Sequence, residues 1–410
     1  MQRCIETRRD TRTHEWVCYA PGVPGPRIHL AHDWLVGLRG GEWVLDALAR
    51  LYGPTTLYTL VNDGRFLTDA IAACRVITSP LQRIPGASGR LRRWCFPIMP
   101  WAVERLRVRG PEHPDGCDLL ISTSSAVMKA IIPPTRPDGE PIPHLCYCHS
   151  PARYAWDQLE DYRHGALGGL RAAGLRMIRR RFQRWDRAVC SRVTRFLANS
   201  QHTAKRIERC WEREAVVAPP PVRTTFFTPD PAVPREDWHL LVGALEPYKR
   251  VDLAIRACTA RRARLRIAGS GSQRGALERL ARRTMREHGA PPGTIEFLGR
   301  VDDASLRDLY RRARALIQPQ MEDFGIIAVE AQACGCPVIA YAAGGALETV
   351  AEECGVFFES QTVEALGGAL RQFEARSWES AACRQSAERF SESVFDQRLT
   401  EQVMALCHHA

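Results

Sequence analysis

The chain has 410 residues, 45% hydrophobic and 25% charged, a globular composition that excludes a disordered, collagen-like or disulfide-scaffold protein. At ~100–200 residues per domain, that length suits two domains, or three. Lysine and arginine outnumber aspartate and glutamate 57 to 46, a net charge of +11 carried almost wholly by arginine, since the lysines are only Lys129, Lys205 and Lys249; such a surplus suits anionic partners without choosing among nucleic acid, phosphorylated ligands and acidic lipid.

Residues 1–26 read as a loose leader ending in Pro21, Gly22, Pro24, Gly25 and Pro26. Its polar, charged start has no signal-peptide core, and the longest uncharged run, Ala331 to Leu347, is broken by Gly335, Pro337, Gly344 and Gly345; the chain is therefore expected in the cytoplasm. A strand follows at Arg27–His32, then a loop bearing Gly37, Gly40 and Gly41, then a helix over Glu42–Tyr52. Short apolar runs recur at Thr55–Val61, Arg75–Ser79, Asp118–Ser122, His144–Cys148 and Arg195–Ala198, separated by helical or basic stretches. That alternation predicts βαβ units and a parallel sheet.

The prolines 219–221 mark a break. Beyond Pro234 the alternation restarts, with strands at His239–Gly243, Leu265–Ala268, Ile295–Leu298, Ala315–Gln318 and Val338–Tyr341. Helices at Val251–Cys258, Gly275–His288, Ala304–Ala313 and Ile326–Cys334 lie between them, and Asp302 reads as a helix cap. The expected organisation is α/β: a domain over 27–220, a second over 221–390, and a tail helix over 391–410 that packs back on the first. A cleft between two such halves, at the carboxyl ends of the strands, is the expected ligand site. The fifteen cysteines are scattered through apolar segments and read as reduced core residues; neither Cys146/Cys148 nor Cys334/Cys336 has a second pair at zinc-finger spacing. No metal site and no resident cofactor are expected.

The most informative stretch is QMEDFGIIAVEAQACGCPVI, Gln320–Ile339. Glu322, Asp323, Phe324 and Gly325 form a turn, and a helix starts at Ile326. Its free N–H groups suit an anion or sugar hydroxyls. Glu330 lies eight residues after Glu322, so the two carboxylates either reach two ends of one elongated ligand or are unrelated surface and helix-facing residues. LLVGALEPYKRVDLAI, Leu240–Ile255, is a strand, turn and helix start with Lys249 and Arg250 at the entry. A lysine there either neutralises a diphosphate or is a solvated helix-end charge. AGSGS, Ala268–Ser272, is another strand-to-helix glycine turn, unspecific by itself.

Eight segments in order carry a family resemblance: HDWLVGLRGGEWVLDAL from His32, FPIMPWAVERL from Phe96, CDLLISTSSAVMKA from Cys117, CYCHSPARYAWD from Cys146, FLANSQHTAKRI from Phe196, VGALEPYKRVDLAI from Val242, FLGRV from Phe297 and EDFGIIAVEAQACGCPVIAYAAGGALETV from Glu322. With these the sequence resembles the retaining family 4 glycosyltransferases of the GT-B fold, two Rossmann-like domains facing each other across a cleft, and among them the bacterial mannosyltransferases of polysaccharide assembly. The resemblance implies a nucleotide-diphosphate sugar as co-substrate, GDP-mannose first and a UDP-sugar as the alternative, with a saccharide or lipid-linked saccharide as acceptor. It implies that Lys249, with Gly243 and Gly41 close by, binds the diphosphate, and that Glu330 binds the ribose. Glu322 and the backbone of Asp323, Phe324, Gly325 and Ile326 would hold the transferred sugar, Arg300 would lie by the base, and His149 would touch the sugar. His149, Glu322 and Lys249 are then the catalytic candidates, and Gly40, Ser125 and Lys129 the acceptor-side ones.

Two positions depart from the family pattern. Ala244 stands where many relatives have arginine, making Arg250 the candidate for the missing diphosphate contact, and Ser125 stands where close relatives have histidine; an inactive nucleotide-sugar-binding relative stays open on those grounds. Two stretches are basic and aromatic: Leu91–Arg109, with Trp94, Phe96 and Trp101, and Leu170–Arg187, with Ile178, Phe182 and Trp185 at helical spacing. The second either lies peripherally on the acidic inner face of the cell membrane or packs on the core behind a solvated arginine face. Nucleic acid is suggested by charge alone, without a binding motif, and is not expected.

Overall fold

The computed structural model describes residues 25–38, 40–65, 67–89, 91–156 and 169–407. The expected leader lies outside them except for Gly25 and Pro26, and in the second basic stretch side chains are described from Met177 onward, which leaves out Arg171 and Arg176. The chain divides into two compact units, one running to Pro221 and resuming at Phe395, the other Val222–Val394.

The described strands of the first unit are β1 (Ile28–His32), β2 (Thr56–Thr59), β3 (Arg75–Thr78), β4 (Leu119–Ser124), β5 (His144–Cys148), β6 (Arg195–Ala198) and β7 (Ala215–Val217). They form one parallel sheet in the order β3-β2-β1-β4-β5-β6-β7. Strands β1, β4 and β5 are buried along their whole length, because both faces of a parallel sheet are covered; this is why IHLAH and HLCYC show no polar alternation. The helix Glu392–Cys407 supplies Phe395, Leu399, Val403 and Leu406 to this unit's core, against Val44, Leu48, Tyr147 and Ala218.

In the second unit, β8 (His239–Val242), β9 (Leu265–Ala268), β10 (Ile295–Gly299), β11 (Ala315–Gln318), β12 (Val338–Tyr341) and β13 (Gly355–Phe358) form a parallel sheet ordered β10-β9-β8-β11-β12-β13. The strand order reverses at β1/β4 in one unit and at β8/β11 in the other. In doubly wound sheets that reversal opens a crevice at the strands' carboxyl ends, where ligands bind. Asp302 caps the helix Asp303–Arg312, accepting from Ser305 N at 2.7 Å. Every described cysteine is a free thiol, buried except for the partly exposed Cys407.

Candidate functional site

In the second unit the loop after β8 carries Gly243 and Lys249, and the loop after β11 carries Glu322. The first loop can leave the sheet only because backbone meets backbone: Gly243 sits at φ 153°, and a Cβ on Gly269, which follows β9, would lie 1.8 Å from the Gly243 carbonyl oxygen. The AGSGS turn is thus required by close approach. Pro247–Lys249 then forms a single tight turn, and Arg250 adopts the left-handed region at φ 49°. This aims Lys249 across the crevice, where its ammonium pairs with the Glu322 carboxylate.

Glu322 is held from its other sides as well. Gln320 Nε2 donates to Glu322 Oε1 at 2.8 Å, and Gly345 N donates to the Glu322 carbonyl at 2.8 Å. A Cβ on Gly345 would lie 2.4 Å from the Phe324 backbone, so the loop after β12 dovetails under the Glu322 turn. Gly325 begins the helix Ile326–Ala333 at φ 91° with no side chain capping it. The first-turn N–H groups therefore face the same turn as Glu322, a suitable seat for an anion or for hydroxyl oxygens. Phe324 itself is a core residue, edge-on to Phe390 with ring centroids 5.3 Å apart, so at that position only the backbone is available.

Glu330 lies in the same helix, is 9% exposed, and accepts from Tyr310 Oη at 3.2 Å. Burial pushes its carboxyl up to about 7, against the pull of Arg223 and the tyrosine hydrogen bond. Such a group is satisfied as an anion only when further donors reach it. Arg250, expected to supply a diphosphate contact, bonds Gln361 Oε1 at 3.1 Å and pairs with Asp252 at 3.5 Å. Arg300 is exposed beyond the end of β10. Gln318, missed in the sequence, is 3% exposed at the end of β11, and its amide packs beneath Gly325, where a Cβ would approach Nε2 to 3.1 Å.

In the first unit the crevice lies between the ends of β1 and β4. Asp33, 1% exposed, accepts from the N–H groups of Ser125 (2.6 Å), Ala126 (2.9 Å), Val127 (3.0 Å) and Met128 (2.8 Å). One carboxylate thus fixes the loop that holds Ser125, whose hydroxyl also reaches Asp33 at 3.3 Å. His32 meets Thr123 Oγ1 at 2.5 Å through Nδ1, and its Nε2 lies 3.9 Å from Glu42. Burial pushes the Glu42 carboxyl up, but His32 and, more weakly, His149 hold it below the ordinary range. His149 follows β5, donates its N–H to Ser124 O at 2.9 Å and accepts from Asn199 Nδ2 at 2.9 Å. Its ring lies over Gly41, where a Cβ would come within 3.3 Å of Nε2. Gly40 and Gly41 open the helix Gly40–Tyr52, so the family-implied residues Gly40, Gly41, Ser125 and His149 belong to one unit and line its β1, β4 and β5 ends.

Lys129 is a correction to the acceptor-side set. It is fully buried, its ammonium pairs with Asp186, and it lies 4.3 Å from the Trp211 ring centroid. Asp186 also accepts from Trp156 Nε1 at 2.9 Å and Trp211 Nε1 at 2.7 Å. A charge enclosed in this way holds the core and meets no ligand. Among the described residues no group of three or more His, Cys, Asp and Glu is placed to hold a metal ion.

The two basic aromatic stretches divide. Phe182 and Val189 are core residues, the Phe96 and Phe182 rings meet tilted with centroids 4.6 Å apart, and Trp185 packs against the same cluster, as the core-packing alternative expects. Leu91, Ile98, Trp101, Met177 and Ile178 are exposed. No described helix is long and apolar enough to cross a membrane.

Two doubly wound parallel units, each with its charged residues at the strand-order reversal, define the GT-B class of transferase folds. Residues 225–390, less than half of the chain, match the family model described as glycosyl transferases group 1. The chain is 36% identical over 128 residues to a D-inositol 3-phosphate glycosyltransferase of Catenulispora acidiphila, a match covering 28% of this chain and 29% of the relative. It is 34% identical over 116 residues to the GDP-mannose-dependent monoacylated alpha-(1-6)-phosphatidylinositol monomannoside mannosyltransferase of Corynebacterium glutamicum, covering 26% and 29%. The chain thus spans under a third of the length of these two curated relatives. HepE of Anabaena, solved in complex with UDP, superimposes with a TM-score of 0.66 at 16% identity, over 92% of this chain and 100% of that one.

Proposed function

We propose that the protein is a retaining family 4 glycosyltransferase that takes a nucleotide-diphosphate sugar, with GDP-mannose the leading donor and a UDP-sugar the alternative, and transfers the sugar to a saccharide or lipid-linked saccharide in cell-surface polysaccharide assembly. One observation carries this reading: the cation of the β8 turn aimed into the crevice, Lys249, meets Glu322 at the strand reversal, beside an uncapped helix start and one helical turn from the buried carboxyl Glu330. A cation, a row of amides and two carboxylates at one strand end match a ligand with a diphosphate between two hydroxylated rings. The mannosyltransferase of C. glutamicum supports GDP-mannose, and UDP in HepE supports the alternative.

In this reading Lys249 and the Ile326–Ala333 helix start stabilise the charge developing on the leaving diphosphate, and Glu322 and the turn backbone orient the sugar. The departing phosphate takes the acceptor's proton. The transition state is oxocarbenium-like. The exposed Leu91, Ile98 and Trp101, with Arg105 5.2 Å from the Trp101 ring, support peripheral contact with an acidic membrane surface at the cytoplasmic side.

A thermal-shift panel of GDP, UDP, GDP-mannose and UDP-glucose tests the donor. A ligand at a hundred times its Kd stabilises the protein by about 2.7 kcal/mol, so the cognate pair stands out. GDP and GDP-mannose are expected to raise the melting temperature, and slow GDP-mannose hydrolysis is expected to vanish in Glu322→Ala. Stabilisation by UDP and UDP-glucose alone selects the alternative donor; stabilisation by none of the four refutes the donor site.

A further inference from the structure

The Lys249–Glu322 ion pair has a consequence for which nucleotides the site retains. The two residues come from different loops, 73 positions apart, and both side chains are largely covered, 13% and 19% exposed. Water therefore screens the pair only weakly. Glu322 Oε1 takes both the ammonium and the Gln320 amide, so the carboxylate's strongest donors sit on one oxygen. The neighbouring acid is committed elsewhere: Glu246 takes Ser272 through N at 3.1 Å and Oγ at 2.7 Å. Arg250 is held by Gln361 and Asp252. Lys249 thus has Glu322 as its partner, and a phosphate that takes the ammonium competes with that carboxylate.

Resting on the donor-site reading above, we propose that this pair is a specificity device that favours the sugar-bearing donor over the bare nucleoside diphosphate. A diphosphate competes for the ammonium and sets a new anion beside a largely covered carboxylate that keeps only the Gln320 amide in full. A donor with its sugar in place supplies hydroxyl groups that donate to Glu322 and replace what it lost. A nucleoside diphosphate supplies none, so its binding carries an uncompensated carboxylate. Sites built to bond a hydroxyl reject ligands that lack it for this reason. The same asymmetry helps the spent nucleotide leave after transfer, when Lys249 returns to Glu322.

Isothermal titration of GDP, UDP, GDP-mannose and UDP-glucose into wild type, Glu322→Gln and Lys249→Met tests the device. Glu322→Gln keeps the shape and removes the competing anion. It is expected to bind the cognate nucleoside diphosphate up to ~5-fold more tightly, the upper end for loss of an ion pair, and the corresponding nucleotide sugar more weakly. Lys249→Met is expected to lose at least ~10-fold in both. Lys249→Met losing affinity while Glu322→Gln gains none overturns the specificity device and leaves the donor site standing. Unchanged binding in Lys249→Met overturns the donor site and the device together. Should Glu322→Gln not fold, the wild type still decides. With three lysines in the chain, ¹⁵N-lysine spectra resolve each ammonium, and the signal lost in Lys249→Met is the one to follow. A slowly exchanging Lys249 ammonium in the free protein that shifts on adding the diphosphate is expected; a freely exchanging one overturns the pair.

Discussion

Glu330 offers the most quantitative test of the site. Its carboxyl is raised from an ordinary 4.5 to about 7, with burial the largest cause. The folded protein therefore holds this proton more tightly than the unfolded chain does between those values, and stability falls as pH rises through the window. At about 1.4 kcal/mol per pH unit the full cost, reached above about pH 8, is about 3 kcal/mol. Glu330→Gln removes the charge and keeps an oxygen for Tyr310 Oη. Urea denaturation at pH 8.5 is expected to find the variant more stable by about 2–3 kcal/mol, and the two proteins are expected to converge below about pH 4, where Glu330 is protonated in the folded and the unfolded chain alike. In the donor-site reading the same change weakens nucleotide binding by ~10-fold, because ribose hydroxyls lose a charged acceptor. A gain in stability with a loss of ligand is what a residue kept for binding shows. Parallel pH profiles for the two proteins would refute the reasoning, since a solvated Glu330 has no cost to remove.

Two further substitutions test the correction and the dovetailed loop. Lys129→Met leaves Asp186 as a buried anion with two indole donors and no cation, so a loss of about 3–5 kcal/mol is expected by urea denaturation; adding Asp186→Asn should restore much of it, and the transfer rate per folded molecule should change little. Gly345→Ala drives a methyl into the Phe324 backbone, which is expected to cost about 1–3 kcal/mol and, by displacing the Glu322 turn, to lower nucleotide-sugar affinity more than nucleoside-diphosphate affinity in titration calorimetry.

What could be read from the sequence was whatever local chemistry determines. HLCYC and RFLA are buried strands because an apolar run of that length between turns has few other uses, and β5 and β6 fall on those residues. Strands β7 and β13 passed unread: AVV is a half-exposed edge of three residues, and GVFF follows an acidic turn without alternation. The family resemblance singled out Lys249 and Lys129 alike, yet one lies at a strand reversal and the other is enclosed by an aspartate 57 positions away. Nothing within reach of either residue along the chain distinguishes them, because partners are chosen by the fold. The same holds for Asp33, whose four amide donors come from more than 90 positions away. AGSGS looked unspecific because its cause, the carbonyl of Gly243, lies on the neighbouring strand.

Each unit places a carboxylate at its strand reversal, and the difference between the two says where change can occur. Asp33 is satisfied by backbone N–H groups, and giving them up would mean unravelling the loop from Ser125 to Met128. Such a carboxylate is a fixture. Glu322 is satisfied by two side chains, Lys249 and Gln320, which can rotate away while every backbone bond around it, from Gly345 N to its own carbonyl, stays in place. Exchange of partners there costs side-chain rearrangement and no backbone hydrogen bond. A ligand can therefore enter the crevice of the second unit by substitution, its phosphate for the carboxylate on Lys249 and its hydroxyls for the ammonium on Glu322, with the scaffold already formed.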